Sequence, residues 1–302
     1  MIMLHSPLRY PGGKACLAPF IEETLRENLL NGGNIVEPYA GGAGLSLSLL
    51  STNAITKVYL VEKDPLIYSF WKSVTTQHEE LCDRIWGLKV NLDTWKEFQK
   101  YKAANAKQLF TPVELGLAGL FLNRTNFSGI IDAKPIGGMG QKSDYKIDCR
   151  FNKGRIIASI ENIASVGSRI NVAHSDALTY LRKNERRILN DKKSLVYIDP
   201  PYLGQGRKLY RYAYGWSEHE KLAAFIERQK YPWVISIDSD PRIKELYSKQ
   251  KVTPIFLKYA VKKSRKAEEL IITNLRHLPA TMSGNESLVR TTAPAKKRAS
   301  GC

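Results

Sequence analysis

The sequence predicts an α/β protein in which a mostly parallel β-sheet carries helices on both of its faces. In two regions of the chain, short runs rich in β-branched residues alternate with amphipathic helical stretches. Such alternation is typical of parallel strands joined by crossover helices. With 302 residues, of which 43% are hydrophobic, the chain can build a sizeable core in two domains or one large one.

The first region begins with an amphipathic helix and continues as a β-α-β-α succession. Residues 17–30 place five apolar side chains on one helical face: Leu17, Phe20, Ile21, Leu25 and Leu29. The glycines at 32 and 33 are predicted to stop this helix. The strand NIVEP, the helix LSLSLL, the strand KVYLV and the helix DPLIYSFWKSV then follow.

The second region contributes three more strands, SRINVAH, SLVYID and WVISID, with helical stretches between them. One of these helices is predicted from about Ser217 to Arg228. Ser217 and Glu220 have the spacing of a capping box. The apolar face of this helix consists of Leu222, Phe225 and Ile226.

The middle of the chain breaks the rhythm, so we predict that residues 76–168 form an inserted, mainly helical domain. Its clearest helix has Thr111 as the N-cap, Pro112 at the first position and Glu114 completing a capping box. The glycine-rich, basic stretch beyond that helix predicts exposed loops. Residues 1–75 and 169–277 then make the other domain, and the polar residues 278–302 are predicted to be a disordered tail.

The balance of charge points to a polyanionic partner. Subtracting 29 acidic from 46 basic residues gives +17, which fits nucleic acid or an anionic membrane surface. The chain has no run of eighteen apolar residues and no signal peptide, so we expect a cytoplasmic protein that does not enter a membrane. The four cysteines are scattered, which predicts free thiols and no metal site: Cys16, Cys82, Cys149 and Cys302.

A glycine-rich turn, EPYAGGAG at residues 37–44, joins the first strand to a helix. Glycines there let a ligand approach the backbone, although a plain tight turn is the alternative. The spacing is not G-x-G-x-x-G, which lowers the case for a nicotinamide cofactor. About 20 residues later, Glu62 and Asp64 end the next strand, where a carboxylate meets a ribose. We assign Glu62 to binding and Asp64, before Pro65, to a helix N-cap.

The strand SLVYID ends in Asp199, Pro200, Pro201 and Tyr202. The Asp199 carboxylate and the Pro200 carbonyl are two acceptors that can hold both protons of an exocyclic amine on a base and so localise its lone pair. The Tyr202 ring can stack on the base, a role that does not need the hydroxyl. For the tripeptide Pro-Pro-Tyr alone, an ordinary strand exit remains the alternative.

Five motifs follow one another along the chain: SPLRYPGGK, EPYAGGAG, NRTNFSG, DPPY and RKAEELIITN. Together they resemble the Dam-type family of adenine-specific (N6) DNA methyltransferases, from Ser6 to about Asn274. DPPY is shared with other amino-methyltransferases, whereas SPLRYPGGK is much more specific. The resemblance implies a Rossmann-like S-adenosylmethionine-dependent methyltransferase sheet, an inserted target-recognition domain, S-adenosyl-L-methionine as donor, and a target adenine rotated out of double-stranded DNA.

The resemblance also implies roles for single residues. Lys14 would meet the carboxylate of the methionine end of the cofactor, and Asp176, in HSDAL, would meet the cofactor adenine. The implied cofactor-binding residues are Tyr10, Lys14, Glu37, Tyr39, Gly41, Glu62, Asp176 and Asp199. The implied catalytic residues are Asp199, Pro200 and Tyr202. The glycine turn departs from the family twice, since Tyr39 replaces the usual Phe and Ala43 replaces the usual second glycine.

Two stretches carry side chains suited to base edges or phosphates. NRTNFSG contributes Asn123, Arg124, Asn126 and Ser128, and RKLYRYAYGW contributes Arg207, Lys208 and Arg211 between aromatic rings. For any single cation, a solvated surface charge is the alternative.

The competing functions are an RNA adenine methyltransferase and a nucleic-acid-binding protein that has lost catalysis. The inserted domain favours duplex DNA, and the intact Asp199, Tyr202 and Lys14 favour an active enzyme. A cytosine N4 target is disfavoured because the resemblance associates Ser, not Asp, with that amine. The sequence leaves open the target site, the oligomeric state, and whether the enzyme works alone, beside a cognate restriction endonuclease or for a phage.

Overall fold

The computed structural model describes residues 2–10, 12–103, 105–203, 211–212, 214–259 and 265–279. The strands are β1 (Gly33–Glu37), β2 (Ile55–Glu62), β3 (Ile170–His174), β4 (Ser194–Ile198), β5 (Trp233–Asp238), β6 (Lys251–Tyr259) and β7 (Arg265–Thr273). Within the described residues the α-helices are α1 (Ala18–Glu27), α2 (Gly44–Ser51), α3 (Pro65–Thr76), α4 (His78–Gly87), α5 (Leu92–Phe98), α6 (Ala106–Leu109), α7 (Pro112–Thr125), α8 (Lys153–Ala164), α9 (Ala177–Asn190), α10 (Trp216–Ile226) and α11 (Pro241–Leu246).

All seven strands form one sheet in the order β3-β2-β1-β4-β5-β7-β6. The pairs among the first five strands of that order are parallel, and β7 pairs antiparallel with both β5 and β6. The predicted mostly parallel α/β sheet is therefore confirmed. The strand order reverses between β1 and β4, and in open α/β sheets the crevice at such a reversal is where ligands bind.

Helices pack on both faces because successive strand residues point to opposite sides. In β1, Ile35 belongs to a core shared with α1, α2, α3 and α7, whereas Val36 belongs to a second core shared with α9 and α10. The same alternation recurs in β4, where Leu195 and Val196 join different cores. Buried on both faces, the central strands are nearly continuous apolar runs.

The antiparallel strands β6 and β7 were not predicted as strands. Their sequences mix charged and apolar residues, and Pro254 lies inside β6. Proline is tolerated there because β6 is the edge of the sheet. Pairing with β5 places Glu269 of β7 opposite Asp238, at the carboxyl end of the parallel strands.

Two predicted helix details are wrong. The first helix ends at Glu27, and Leu29, with φ +58°, turns outward and is 80% exposed. In α10 the backbone N–H of Gly215 donates to Glu218, so the N-cap is Gly215 and the helix begins two residues earlier than the predicted Ser217 cap requires. Glu220 instead accepts from the indole of Trp216.

The helices α4 to α8 share the core on the α3 side of the sheet. The capping box of Thr111 and Glu114 at the start of α7 is confirmed. Two glycines let α7 approach α3 closely, since a Cβ on Gly119 would lie 2.6 Å from the Leu66 carbonyl oxygen. Cys16, Cys82 and Cys149 are free thiols, whereas Cys302 and nearly all of the predicted tail lie outside the described residues. Among the described helices, none is long and apolar enough to span a membrane.

Candidate active site

The loops that follow β1, β2, β3 and β4 meet at one edge of the sheet and surround a pocket. All eight residues expected at a cofactor line it: Tyr10, Lys14, Glu37, Tyr39, Gly41, Glu62, Asp176 and Asp199. Parallel strands explain this convergence, because their carboxyl ends lie at the same edge of the sheet. Binding of a cofactor by these residues stays a prediction.

The glycine turn after β1 lines the pocket and also packs closely against aromatic side chains. Gly41 has φ +44°, and a Cβ there would lie 2.8 Å from the Tyr10 ring. Its carbonyl accepts from the Trp71 indole at 2.8 Å. Ala43, where the family has glycine, caps α2 in the left-handed conformation with φ +48°, which is unfavourable for any residue with a Cβ.

Glu62 ends β2 and Asp64 begins the turn into α3; the predicted binding role of Glu62 stays a prediction. Asp64 caps α3 by accepting from the Leu66 N–H at 2.8 Å, which confirms the N-cap. Glu62 accepts the N–H of Gly41 at 2.9 Å and that of Asp64 at 2.8 Å, one on each oxygen. A carboxylate has about four acceptor positions, so Glu62, which lines the pocket, can still accept from a ligand. Burial raises the pKa of Glu62 to about 7.

Three further pocket residues are fixed by the chain itself. Asp176 caps α9 by accepting from the N–H groups of Leu178 and Thr179, and it pairs with Lys63 at 3.2 Å. Glu37 is buried and accepts the Ser46 hydroxyl, and its burial raises its pKa to about 8. The Tyr39 hydroxyl lies 2.8 Å from that of Tyr214.

Lys14 is paired inside the protein. Its ammonium lies 3.2 Å from Asp199 Oδ1 and 3.5 Å from Glu269 Oε1. It donates to the Gly12 carbonyl at 2.8 Å and to the Tyr202 hydroxyl. Two carboxylates of the chain thus surround Lys14 at the pocket, and its contact with the carboxylate of the cofactor stays a prediction.

The Tyr202 hydroxyl donates to Glu269 Oε1 at 2.7 Å, so the hydroxyl has partners that the sequence did not predict. Glu269 itself was missed as a site residue. The only signal was its place in RKAEELIITN, which the resemblance singled out without giving a role. Burial is the largest influence on Asp199 and raises its pKa to about 6, with Lys14 acting in the opposite direction and Glu269 in the same one. Pro200 follows directly and is buried.

The amides of NRTNFSG are not available to DNA. Asn123 is buried, accepts the Arg9 N–H at 2.7 Å, and donates to the carbonyls of Arg9 and Gly129. Asn126 is buried too, and its amide accepts from the Trp95 indole and donates to the carbonyls of Ile130 and Ile131. The predicted base or phosphate contacts of both are therefore corrected: these side chains close the turn.

Arg124 remains a candidate for DNA. Its Nε is buried without a hydrogen-bond partner. Burial, with repulsion from Arg9 and Arg150, lowers its pKa to about 10. Ser128, half-buried with φ +56°, stays a prediction as a DNA contact.

Arg211 lies on the pocket wall, 3.6 Å from Asp132 and 3.8 Å from Asp64, and donates to the Lys102 carbonyl at 2.6 Å. Its guanidinium thus has partners inside the protein, but the side chain is 22% exposed, and its assignment as a DNA contact stays a prediction. Arg207 and Lys208 lie outside the described residues.

The family model for D12 class N6 adenine-specific DNA methyltransferases matches residues 10–261, which is most of the 302-residue chain. The matched stretch contains the glycine turn, NRTNFSG and DPPY. No curated protein matches the sequence.

Proposed function

The chain belongs to the D12 class N6 adenine-specific DNA methyltransferase family, and we propose that it transfers a methyl group from S-adenosylmethionine to the N6 amine of an adenine in duplex DNA. The observation that carries the proposal is the placement of Asp199, at the end of β4, in the same pocket as Glu62, at the end of β2. A donor bound by Glu62 would have its reactive end near the residue expected to hold the amine.

The pocket fits a donor with a nucleoside and a net positive charge. Glu62 has spare lone pairs for ribose hydroxyls, and Asp176 is the candidate partner for the donor's adenine. Glu37, Glu62 and Asp199 add three acidic groups along the pocket wall. When bound, S-adenosylmethionine supplies a methyl group activated by its sulfonium.

On the acceptor side, Lys14 pairs with Oδ1 of Asp199, and the Asp199 carboxylate is our candidate to accept from the target amine. The Pro200 carbonyl is the second acceptor. Two hydrogen bonds would localise the lone pair of a conjugated amine, which would attack the methyl carbon in line. The bond from that carbon to the donor's sulfur would break with its electron pair going to sulfur, the neutral thioether S-adenosylhomocysteine would leave, and the methylated amine would lose one proton to solvent. The contribution of the chain is positioning, so no covalent enzyme intermediate is required.

DNA binding rests on charge. The chain carries +17, and Arg9, Arg124 and Arg150 lie close enough for the cations to repel one another. Such a concentration of guanidinium groups suits a phosphate, which neutralises it. Residues 76–168, which include Arg124 and Arg150, are our candidate for the target-recognition domain, and we propose that the target adenine is rotated out of the duplex.

Transfer of tritiated methyl groups tests the proposal, with N6-methyladenine identified by mass spectrometry. Duplex DNA of mixed sequence should accept methyl groups, and RNA should not. Asp199→Asn should keep measurable single-turnover activity because an oxygen remains, while Asp199→Ala should lose about a hundredfold, on the order of 2.7 kcal/mol. Methylation of RNA alone would favour the RNA enzyme, and DNA binding without any transfer would favour the silent binding protein.

A further inference from the structure

We infer that Glu269, on the antiparallel strand β7, is a positioning residue for methyl transfer: together with the Tyr202 hydroxyl it holds Lys14 against Asp199 and so fixes the carboxylate that receives the amine. The inference rests on the proposed function. The motif RKAEELIITN contains Glu269 without indicating a role for it, and its place in the sheet comes from a strand that the alternating sequence pattern does not predict.

The Lys14 ammonium is surrounded by groups of the chain itself. An ammonium has three N–H groups. Gly12 O, the Tyr202 hydroxyl and Asp199 Oδ1 lie within 3.2 Å of it. The side chain is only 2% exposed, so solvent does not compete for these bonds. Lys14 is therefore a fixed cation whose direction is set by its neighbours.

The two carboxylates beside Lys14 differ in exposure, and the difference assigns their roles. Asp199 is 22% exposed and lines the pocket, whereas Glu269 is 2% exposed. A buried ammonium needs a counter-ion. Glu269 supplies one from the interior, so Asp199 shares the cation with Glu269 and keeps more of its strength as an acceptor than in an exclusive ion pair.

Tyr202 links the two sides of the cluster. Its hydroxyl accepts from Lys14 and donates to Glu269 Oε1 at 2.7 Å. The hydroxyl thus fixes the position of a ring whose face we expect to meet the target base. Tyr202→Phe should then cost activity, in contrast to what a stacking role alone predicts.

Several titratable groups act on Asp199 or are acted on by it. They are Lys14 and Cys16 near the amino terminus, Glu37 on β1, Tyr197 on β4 and Glu269 on β7. The Tyr202 hydroxyl contacts both Lys14 and Glu269. Of these, Lys14 lowers the pKa of Asp199 and Glu269 raises it. Removing the charge of Lys14 should therefore raise the pKa of Asp199, and removing that of Glu269 should lower it. A purely structural role would not produce these two opposite shifts.

The test is a carbon-13 NMR titration of the Asp199 carboxyl in three folded variants, paired with single-turnover methyl transfer across pH. In Glu269→Gln the Asp199 midpoint and the acid limb of the rate profile should both fall. In Lys14→Gln both should rise. Glu268→Gln, the same change one residue away on a side chain that binds Ser239 and Lys244, should move neither.

The rates give a second readout. Glu269→Gln should slow saturated single turnover by about tenfold, and Glu269→Ala by more, because Gln still accepts from Tyr202. If Glu269→Ala does not fold, the Gln variant and the titration carry the test. An Asp199 midpoint that stays put in folded Glu269→Gln, while the wild type methylates DNA, overturns the inference alone. A wild type that methylates nothing, with both midpoints shifting as expected, overturns the proposed function and leaves the charge network standing.

Discussion

Two turns of the molecule combine left-handed backbone with polar side chains, but with opposite results for ligand access. The turn after β1 contains Gly41 and Ala43 with positive φ, and the turn after α7 contains Ser128 and Gly129 with positive φ. The first has its backbone N–H held by Glu62, a carboxylate from the neighbouring strand. The second is held by amide side chains from its own sequence.

This difference decides which turn can receive a ligand. Each oxygen of Glu62 accepts one backbone N–H, and the carboxylate still lines the pocket. The turn after β1 therefore stays open to a ligand. Asn123 and Asn126 direct both ends of their amides into protein partners, so the turn after α7 is closed. A polar motif therefore indicates a binding surface only when its groups are not needed to satisfy nearby backbone.

The largest expected effect is on the closed turn. Asn126→Ala would leave the Trp95 indole and the carbonyls of Ile130 and Ile131 without their partner, each of which is expensive when buried. We expect a loss of about 2 to 4 kcal/mol in the free energy of unfolding, measured in urea. Ser128→Ala, on a half-buried hydroxyl of the same turn, is the control. Unchanged stability with weaker DNA binding would instead return Asn126 to base recognition.

The open turn is tested by Glu62→Ala. Donor affinity, measured by calorimetry, should fall about tenfold to a hundredfold, since hydrogen bonds to a charged group contribute roughly 1.5 to 3 kcal/mol. Asp93→Ala removes a carboxylate that is 89% exposed on α5 and should leave the affinity unchanged. Should Glu62→Ala bind the donor normally, Glu62 would be structural and Asp64 would become the candidate.

The edge of the closed turn is tested by Arg124→Gln. Losing one phosphate contact should reduce the slope of log affinity against log salt by about 0.9 and weaken DNA binding by about tenfold at low salt. Arg26→Gln, on an exposed cation of α1 already paired with Glu22 and Glu23, is the matched control. An identical slope in both variants would place Arg124 outside the DNA contact.

The smallest effect compares the backbone of the two turns directly. Ala43→Gly and Ser128→Gly should each stabilise the protein by about 0.5 to 1 kcal/mol. Left-handed backbone costs a residue with a Cβ about 1 to 2 kcal/mol, and the greater backbone freedom of glycine in the unfolded chain offsets part of the gain from removing that cost. Ala40→Gly, in the first turn without positive φ, should destabilise it. Urea midpoints decide between these signs.

The sequence was sufficient for features fixed by local pattern. The five parallel strands and the placement of Glu62 and Asp199 at one pocket follow from apolar runs and from the rule that parallel strands end at one edge. The cap at Asp64 follows from its position before Pro65. The Lys14 cluster could not be found that way. It joins residues near both ends of the chain through β7, an antiparallel strand outside the alternating pattern. Asn123 was misassigned for a related reason, since its partner Arg9 is 114 residues away.

The raised carboxyl pKa values also make the pocket a proton reservoir. Glu37, Glu62 and Asp199, with pKa values of about 8, 7 and 6, hold protons that an unfolded chain would release near pH 4. The contribution of these three groups to the free energy of unfolding is fully present below that pH and is lost as the pH rises through 6 to 8. The ligand-free protein should therefore become less stable toward alkaline pH. A cationic donor favours the ionised carboxylates and should expel protons as it binds. Its affinity should therefore climb over the same range, and its binding enthalpy should depend on the ionisation heat of the buffer.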